Sequence, residues 1–367
     1  MRASSMPKAP PKAKLTTLEL GRFIAASVVV LTHLVPDVNR LAAPSASLAF
    51  GGFEFPGSFG VQYFFVLSGF VMASTHGRDF GKVSGMLRFW WRRACRIYPM
   101  YWAALLIPLH YLYGFVTPAT APNLFLLSPF ADNDFIAPAW SLRFEIAFYL
   151  MLGLAMLPYV GKPLLALWIG VVFWRWLPEN VLALAHIPPP FIVNKLITGR
   201  ADRLADVLEF YFFAGLAAGW VFSHLRLGRT VSLALLAAGL VGLCALLPHI
   251  DFGRAYGAPG VALIGASLFG LLILGLAGLE RAGLIGLGRW AAVAGTISYP
   301  LYILHAPLEL IFDAKMPHGA LPTYGLYTLF VAGLLGIYGI ATAATYGFDQ
   351  PVQRGVRWLT RRFMPAR

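Results

Sequence analysis

The segment ELGRFIAASVVVLTHL, residues 19–34, is an apolar run with an arginine near its start and a histidine near its end. With its neighbours it is long enough to cross the bilayer core of roughly 30 Å, which takes about 20 apolar residues in a helix. Arg22 and His33 are eleven residues apart, close to three helical turns, so they share a face and lie about 16 Å apart. The segment predicts a membrane-spanning helix with an ionisable group toward each end of one face.

Apolar windows of similar length recur along the whole chain of 367 residues. Hydrophobic residues make up 58% of the chain, charged residues only 12%, and the mean hydropathy is +0.69, whereas about a quarter of a soluble domain is charged. Backbone inside a bilayer must satisfy its own hydrogen bonds, which favours helices. The sequence predicts an all-α polytopic membrane protein with about ten transmembrane helices, at about residues 17–35, 58–76, 88–116, 141–158, 162–178, 205–223, 230–247, 259–278, 294–313 and 324–347.

The distribution of Lys and Arg residues predicts the orientation of these helices. Most of the 29 lie in the two termini and in the loops after the even-numbered helices, and such residues concentrate on the cytoplasmic side. We therefore expect both the N-terminus and the C-terminus in the cytoplasm, with a bacterial inner membrane as the location. The expected organisation is a basic tail over 1–14, a membrane domain over 15–350 and a basic cytoplasmic tail over 351–367.

The net charge of +13 is mainly a property of the predicted cytoplasmic face, where it attracts anionic membrane lipid. The basic residues flank helices and form no separate domain, which argues against nucleic-acid binding. Cys95 and Cys244 have no partner spacing, so neither a disulfide framework nor a metal site is expected.

Ionisable side chains inside the predicted spans indicate where chemistry should be sought, because a charge in the bilayer is costly. Glu145 opens a span that is predicted to run from outside to inside, so it is expected at the depth of His33. A carboxylate there would fix the tautomer of the imidazole and complete a general-base pair. Arg22 could instead be an interface anchor beside Glu19, and His33 a buried, hydrogen-bonded imidazole. A pair between Glu145 and Arg143 is disfavoured, since residues two apart do not face each other.

Three arginines stand at the cytoplasmic start of the third span, in FWWRRACRIYPMYW, residues 89–102. Arg96 is a neighbour of both Arg92 and Arg93 by its i,i+4 and i,i+3 spacing. Guanidinium groups this close repel one another unless an anion is present, and they suit bidentate binding of phosphate. The alternative is a positive-inside anchor among interfacial tryptophans.

A further polar group lies in TISYPLYILHAPLEL, residues 296–310. His305 has Tyr302 three residues before it and Glu309 four residues after it, so the three share one helix face. They line a polar cavity or hydrogen-bond among themselves, and the sequence leaves both possibilities open.

Taken together, the pattern predicts a phosphate-bearing donor on the cytoplasmic side and an acceptor outside. Acyl-CoA fits, because the arginines would hold its phosphates while its long, thin arm reaches toward His33, which would take the proton of an acceptor hydroxyl. No tightly bound cofactor and no metal are expected. From a different class, a proton-coupled transporter would use Arg22, His33, Glu145 and His305 as a relay, although such proteins usually contain internal repeats and none is evident.

Five blocks in sequence order carry a family resemblance. They are Arg22 with His33 after ten intervening residues, GVQYFFVLSGFVM at 60–72, RRACRIYPMYW at 92–102, WSLRFEIAFYL at 140–150 and SYPLYILH at 298–305. In this order they resemble the acyltransferase 3 family of integral-membrane O-acyltransferases, over about residues 15–352.

The resemblance implies ten helices, a CoA thioester donor, expected to be acetyl-CoA, and a catalytic role for His33. It also implies supporting roles for Arg22, Arg93, Arg96 and Glu145. Further candidates for lining the cavity are Ser68, Tyr149, Tyr302, His305 and Glu309. The implied acceptor is a hydroxyl of an extracytoplasmic or lipid-linked glycan, with a small molecule or a lipid as the alternative.

Two residues depart from the family pattern. Asp349 stands two residues before a proline where the family often has glutamate, and Arg143 follows Trp-Ser-Leu where a small residue is more usual. Either departure could tune the use of the donor or the acceptor.

Overall fold

The computed structural model describes residues 15–77, 79–113, 121–126, 135–177, 202–247, 259–313, 315–316 and 319–363. The described part is helical, without a named strand. Its α-helices are α1 Thr16–Asn39, α2 Gly57–His76, α3 Val83–Pro108, α4 Trp140–Leu154, α5 Gly161–Leu177, α6 Glu209–His224, α7 Arg229–Leu246, α8 Pro259–Arg281, α9 Arg289–Asp313, α10 Thr323–Ala344 and α11 Gln350–Phe363. The predicted tail over 1–14 and the last four residues lie outside the described residues.

Helices α1 to α10 coincide with the ten apolar windows of the sequence. Five helical stretches are long and apolar enough to cross a membrane by length and composition: Thr16–Asn39, Gly57–His76, Arg229–Leu246, Gly260–Arg281 and Thr323–Phe363. The all-α multi-pass architecture is therefore confirmed. The number of ten crossings and the cytoplasmic position of both termini stay predictions.

The bundle is built around α1 and α2, with α9 packed on α1, α6 packed on α2, and α8 packed on both α6 and α7. Glycines permit the close approach of α2 and α6. A Cβ atom on Gly69 would lie 2.8 Å from the backbone nitrogen of Leu216, and a Cβ atom on Gly215 would meet the carbonyl oxygen of Val66. Small residues at helix crossings let backbones approach in membrane bundles, where packing rather than the hydrophobic effect drives association.

Two π-helical segments adjoin the regular helices. Leu109–Tyr113 continues α3, and Thr345–Asp349 joins α10 to α11. Such segments are often found at functional sites. The second one brings α11 back against α3, where Trp91 Nε1 donates to Thr360 Oγ1 at 3.1 Å and Gln353 Nε2 donates to the carbonyl oxygen of Cys95 at 2.9 Å.

The start of α4 lies inside the protein. Ile136, Ala139, Ser141 and Arg143 are all buried, and Ser141 Oγ is 2.6 Å from the hydroxyl of Tyr302 on α9. The chain just before α4 therefore lies inside the bundle. This position decides where Glu145 lies.

Candidate active site

A cavity of about 2070 Å³ opens among the first turns of α1, the start of α3, and α11. It is larger than the roughly 300–1,000 Å³ of ordinary small-molecule sites. Eight of the eleven residues predicted to form the site line it: Arg22, Ser68, Arg92, Arg93, Arg96, Glu145, Tyr149 and Tyr302. His33, His305 and Glu309 are not among its lining residues, but they lie just beyond its inner end.

The predicted arginines are held in different ways. Arg22 Nη1 lies 3.8 Å from a carboxylate oxygen of Glu19, in the contact that the anchor alternative requires. Arg96 Nη1 lies 2.9 Å from the carboxylate of Asp349, and its guanidinium sits 5.0 Å from the ring centroid of Tyr299. The site is therefore positively charged, and carboxylates partly compensate the charge of two of its arginines.

Arg93 is held by aromatic rings. Its guanidinium lies 5.6 Å from the ring centroid of Tyr149 and 6.0 Å from that of Phe89, within the range of a cation–π contact. This contact helps to hold the guanidinium in place, while its N–H donors remain available to a phosphate.

Glu145 accepts two hydrogen bonds inside the cavity. Ser68 Oγ donates to Oε1 at 3.0 Å, and the hydroxyl of Tyr149 donates to the same oxygen at 2.5 Å. Glu145 lines the same cavity as the arginines, and its partner Tyr149 lies against Arg93. Glu145 therefore belongs to the arginine end of the site.

The predicted pair of Glu145 with His33 is not formed, because neither side chain is a hydrogen-bond partner of the other, and the two differ in depth. A catalytic role for Glu145 stays a prediction. Ser141, at the buried start of α4, is level with Tyr302, which lies one turn before His305 on the way to the arginine end. Glu145 lies a further turn in the same direction. At 1.5 Å per residue these two steps separate Glu145 from the histidines by about 10 Å along the helix axes. The sequence could not indicate this offset, because it depends on how deeply the chain before α4 enters the bundle.

The imidazole of His33 instead faces a second imidazole. His33 Nδ1 lies 2.9 Å from the carbonyl oxygen of Val29 and 3.3 Å from His305 Nε2, and the two ring centroids are 5.2 Å apart. His305 is fully buried, and its Nδ1 atom has no hydrogen-bond partner among the described residues. Glu309 is also buried, with Oε1 equally without a partner in the described part of the chain.

These three side chains are the group best arranged to hold a metal in the described residues. One ligand atom from each of His33, His305 and Glu309 lies within 4.8 Å of the others. Tetrahedral zinc with bonds of about 2.0–2.1 Å needs ligand atoms roughly 3.3 Å apart, a spacing that the two histidines meet. The carboxylate would have to move inward to complete such a site, so the expectation that no metal is needed stays a prediction.

The cavity and the histidine pair meet at Tyr302. Its hydroxyl contacts Ser141 at 2.6 Å and donates to the carbonyl oxygen of Pro138 at 3.1 Å. Its ring lines the cavity and lies 6.0 Å from the ring of His305, centroid to centroid. A long ligand that fills the cavity would therefore bring its inner end to within one side chain of the histidines.

Several lining residues escaped the sequence reasoning. They are Arg226, Arg281, Tyr299, Arg357 and Arg361. For the last two the signal was present, because a regular helix through QPVQRGVRWLTRRF would place them on one face. The sequence analysis treated this segment only as a basic cytoplasmic tail. Arg143, noted as a departure, is buried and donates from Nη2 to Asn123 Oδ1 at 3.3 Å, outside the cavity lining.

Residues 15–346 match the family model described as an acyltransferase domain, so the chain belongs to the acyltransferase 3 family. It is a membrane acyltransferase that transfers groups other than amino-acyl groups. This membership decides against the proton-coupled transporter that the sequence alone left open.

Two relatives match most of the chain. The acyltransferase MdmB of Streptomyces mycarofaciens is 27% identical over 366 residues, covering 92% of this chain and 90% of the relative. The exopolysaccharide production protein ExoZ of Rhizobium meliloti (strain 1021) is 25% identical over 325 residues, covering 81% of this chain and 90% of the relative. No solved structure matches the chain significantly.

Proposed function

We propose that the protein transfers an acyl group, expected to be acetyl, from cytoplasmic acyl-CoA to a hydroxyl of an extracytoplasmic or lipid-linked glycan. One observation carries the proposal: the large cavity begins among arginines and ends at Tyr302, beside His305 and His33. A glycan acceptor is supported by the name of ExoZ, a relative concerned with exopolysaccharide production. An inner-membrane location is supported by the distribution of Lys and Arg residues.

The donor end of the proposal rests on charge. Arg22, Arg92, Arg93 and Arg96 all line the cavity, and clustered guanidinium groups bind phosphates through charge-assisted hydrogen bonds. Acyl-CoA has its phosphates at one end and its thioester at the other, joined by a narrow arm. With the phosphates among the arginines, the thioester would lie toward Tyr302.

The acceptor end rests on the tautomer of His33. The carbonyl oxygen of Val29 can only accept, so the 2.9 Å contact requires the proton on Nδ1. Nε2 is then left with a lone pair, as a general base needs. In the proposed step Nε2 takes the proton of the acceptor hydroxyl while the hydroxyl oxygen bonds to the thioester carbonyl carbon. The carbon–sulfur bond breaks, and the CoA thiolate leaves and takes up the proton from the imidazolium.

His305 is assigned to positioning in this reaction. Its Nε2 atom lies 3.3 Å from the same Nδ1 of His33. If this nitrogen of His305 is unprotonated, it accepts a second, bifurcated hydrogen bond from the Nδ1–H group and so orients the ring of His33. An imidazole base is commonly oriented by a partner on its other nitrogen. Glu145 has no part in this pair.

The test uses the purified full chain in liposomes, with acetyl-CoA and a panel of glycan, lipid and small-molecule acceptors. Release of the CoA thiol together with an acylated glycan, both abolished by His33→Ala, is the expected result. Acylation confined to a lipid or a small molecule would overturn the glycan assignment while keeping the chemistry. Wild-type turnover by His33→Ala would remove the proposed base.

A further inference from the structure

The C-terminal helix α11 turns a charged face toward the cavity. Spacing of i, i+3, i+4, i+7 and i+8 defines one face of a helix. The residues of α11 that line the cavity follow this spacing without interruption: Gln353, Val356, Arg357, Thr360 and Arg361.

The aromatic residues of the same helix point elsewhere. Trp358 is 61% exposed and Phe363 is 70% exposed, which suits the interface of a membrane. A surface helix of a soluble protein does the opposite and buries its apolar stripe. A helix that turns arginines inward toward a cavity indicates that the occupant of that cavity carries negative charge.

The helix turns that carry Arg357 and Arg361 are fixed, but the two exposed guanidinium groups are not neutralised. The contacts of Gln353 with Cys95 and of Thr360 with Trp91 fix their turns of helix against α3. Arg96 has a carboxylate partner in Asp349, whereas no acidic side chain in the described ranges forms an ion pair with Arg357 or Arg361. Two guanidinium groups one turn apart repel each other, so an anion bound between them is favoured.

Arg281, on the opposite wall of the cavity, is a weaker candidate for an anion site. Its guanidinium donates to the carbonyl oxygens of Leu225 and Phe222 and lies 3.2 Å from the ring centroid of Phe222. Those donors serve the end of α6. The α11 pair has no comparable contacts among the described residues.

The arginines of the cavity are arranged in sequence from the inside outward. Arg96 lies toward the inner end, 5.0 Å from the ring centroid of Tyr299, which is one turn before Tyr302 on α9. Along α11, Gln353 touches α3 at Cys95, beside Arg96, and Thr360 touches it at Trp91, more than one turn closer to the start of α3. Arg357 and Arg361 therefore stand farther toward the open end of the cavity than Arg96, at about the level of Arg92 and Arg93.

This order matches the order of phosphates in the proposed donor. Starting from the thioester, CoA presents first its pyrophosphate and then, at the far end, the 3′-phosphate of its ribose. On the basis of the proposed function, we infer that Arg357 and Arg361 bind this terminal 3′-phosphate, while Arg96, deeper in the cavity, contacts the pyrophosphate. The α11 pair is thus the part of the site that distinguishes CoA from dephospho-CoA.

The test measures equilibrium binding of CoA and of dephospho-CoA, which lacks only the 3′-phosphate, to the purified full chain in detergent. Charge-assisted contacts to one phosphate predict that wild type binds CoA about tenfold or more tightly than dephospho-CoA. The double variant Arg357→Ala with Arg361→Ala should bind the two ligands equally. Arg96→Ala should weaken both ligands and keep the preference.

The matched control removes the same charge from the same helix, away from the cavity. Arg354→Ala combined with Arg362→Ala should keep the wild-type preference, since neither residue lines the cavity. A control variant that loses the preference would show that overall charge, not the α11 pair, makes the distinction.

The remaining outcomes separate the inference from the proposed function. If wild type binds CoA but the α11 double variant keeps the preference, the inference is wrong and the proposed function stands. If wild type binds neither CoA nor dephospho-CoA, both the inference and the proposed function are wrong. The same CoA binding is also measured in vesicles with and without phosphatidylglycerol, an anionic lipid. If the double variant differs from wild type only when the anionic lipid is present, the pair binds a lipid phosphate and the inference is overturned.

Discussion

His33 Nδ1 lies 3.3 Å from His305 Nε2, so the two histidines form a contact between α1 and α9. One is half-buried and the other is fully buried. The pair stands beyond the inner end of an arginine-lined cavity that is more than large enough for an ordinary small-molecule ligand. The separation between positive charge at one end and imidazoles at the other is the geometric basis for each prediction about catalysis.

Replacing His33 should stop the chemistry and spare donor binding. General-base catalysis is typically worth 10²–10⁴-fold, so His33→Ala should lower kcat by a factor of about that size. The Kd for CoA should stay near the wild-type value, because Arg22 lies about 16 Å away along α1 and His33 does not line the cavity that the arginines line. Thiol release and equilibrium binding measure the two quantities separately. A large rise in Kd with unchanged kcat would contradict the assignment.

Replacing His305 should have a smaller effect of a different kind. Loss of one orienting hydrogen bond predicts a fall in kcat of about ten- to a hundredfold, together with a changed pH dependence of kcat as the environment of His33 changes. His305→Gln, which can still offer an acceptor, should recover part of the loss. His110→Ala is the matched control, since His110 is exposed on the π segment after α3. An unchanged pH profile in His305→Ala would reduce its role to packing.

The helices could be predicted from the sequence because they depend on local hydropathy and spacing. Arg22 and His33 share a face of α1 through their eleven-residue separation alone, and Arg92, Arg93 and Arg96 are gathered by one helix. Their presence in the cavity follows from those local facts. The sequence therefore identified four of the eight arginines that line the cavity.

Relationships between distant segments were not predictable in this way. The position of Glu145 depends on the buried chain before α4, and its partner Ser68 comes from another helix. The contact of His33 with His305 joins segments 272 residues apart. Arg357 and Arg361 face the cavity because the π segment at Thr345–Asp349 brings α11 back onto α3, which no local pattern encodes.

The ion pair of Asp349 with Arg96 should stabilise the empty site. The side chain of Asp349 is 3% exposed and that of Arg96 is 30% exposed, so breaking the pair should cost about 1–2 kcal/mol, less than for a fully buried pair. Asp349→Asn should lower the apparent Tm without ligand, and saturating CoA should restore part of it by giving Arg96 a new anionic partner. Asp349→Glu is the control that keeps the charge. An equal loss of Tm with and without CoA would place Arg96 outside the donor site.

The packing of α2 against α6 should be sensitive to a single methyl group. A Cβ atom on Gly69 would press on the backbone of α6, and such overpacking typically costs about 1–3 kcal/mol. Gly69→Ala should therefore lower the apparent Tm of the purified protein. Gly170→Ala on α5 is the matched control, because nothing lies within 4 Å of its Cβ position. Equal thermal stability of the two variants would mean that α2 and α6 do not pack this closely.

Glu145 should act on the donor side of the site and not on the base. Glu145→Gln keeps an oxygen to accept from Ser68 and Tyr149, and it removes a negative charge beside Arg22. It should bind CoA at least as tightly as wild type and leave the pH dependence of kcat unchanged. Glu145→Ala leaves the buried hydroxyl of Tyr149 without its acceptor, at a cost of about 1–3 kcal/mol, so it should be the more damaging variant in thermal stability and in turnover. If Glu145→Gln instead lost as much activity as His33→Ala and shifted the pH profile, the carboxylate would have to reach His33 during the reaction, by a movement of α4 of about 10 Å.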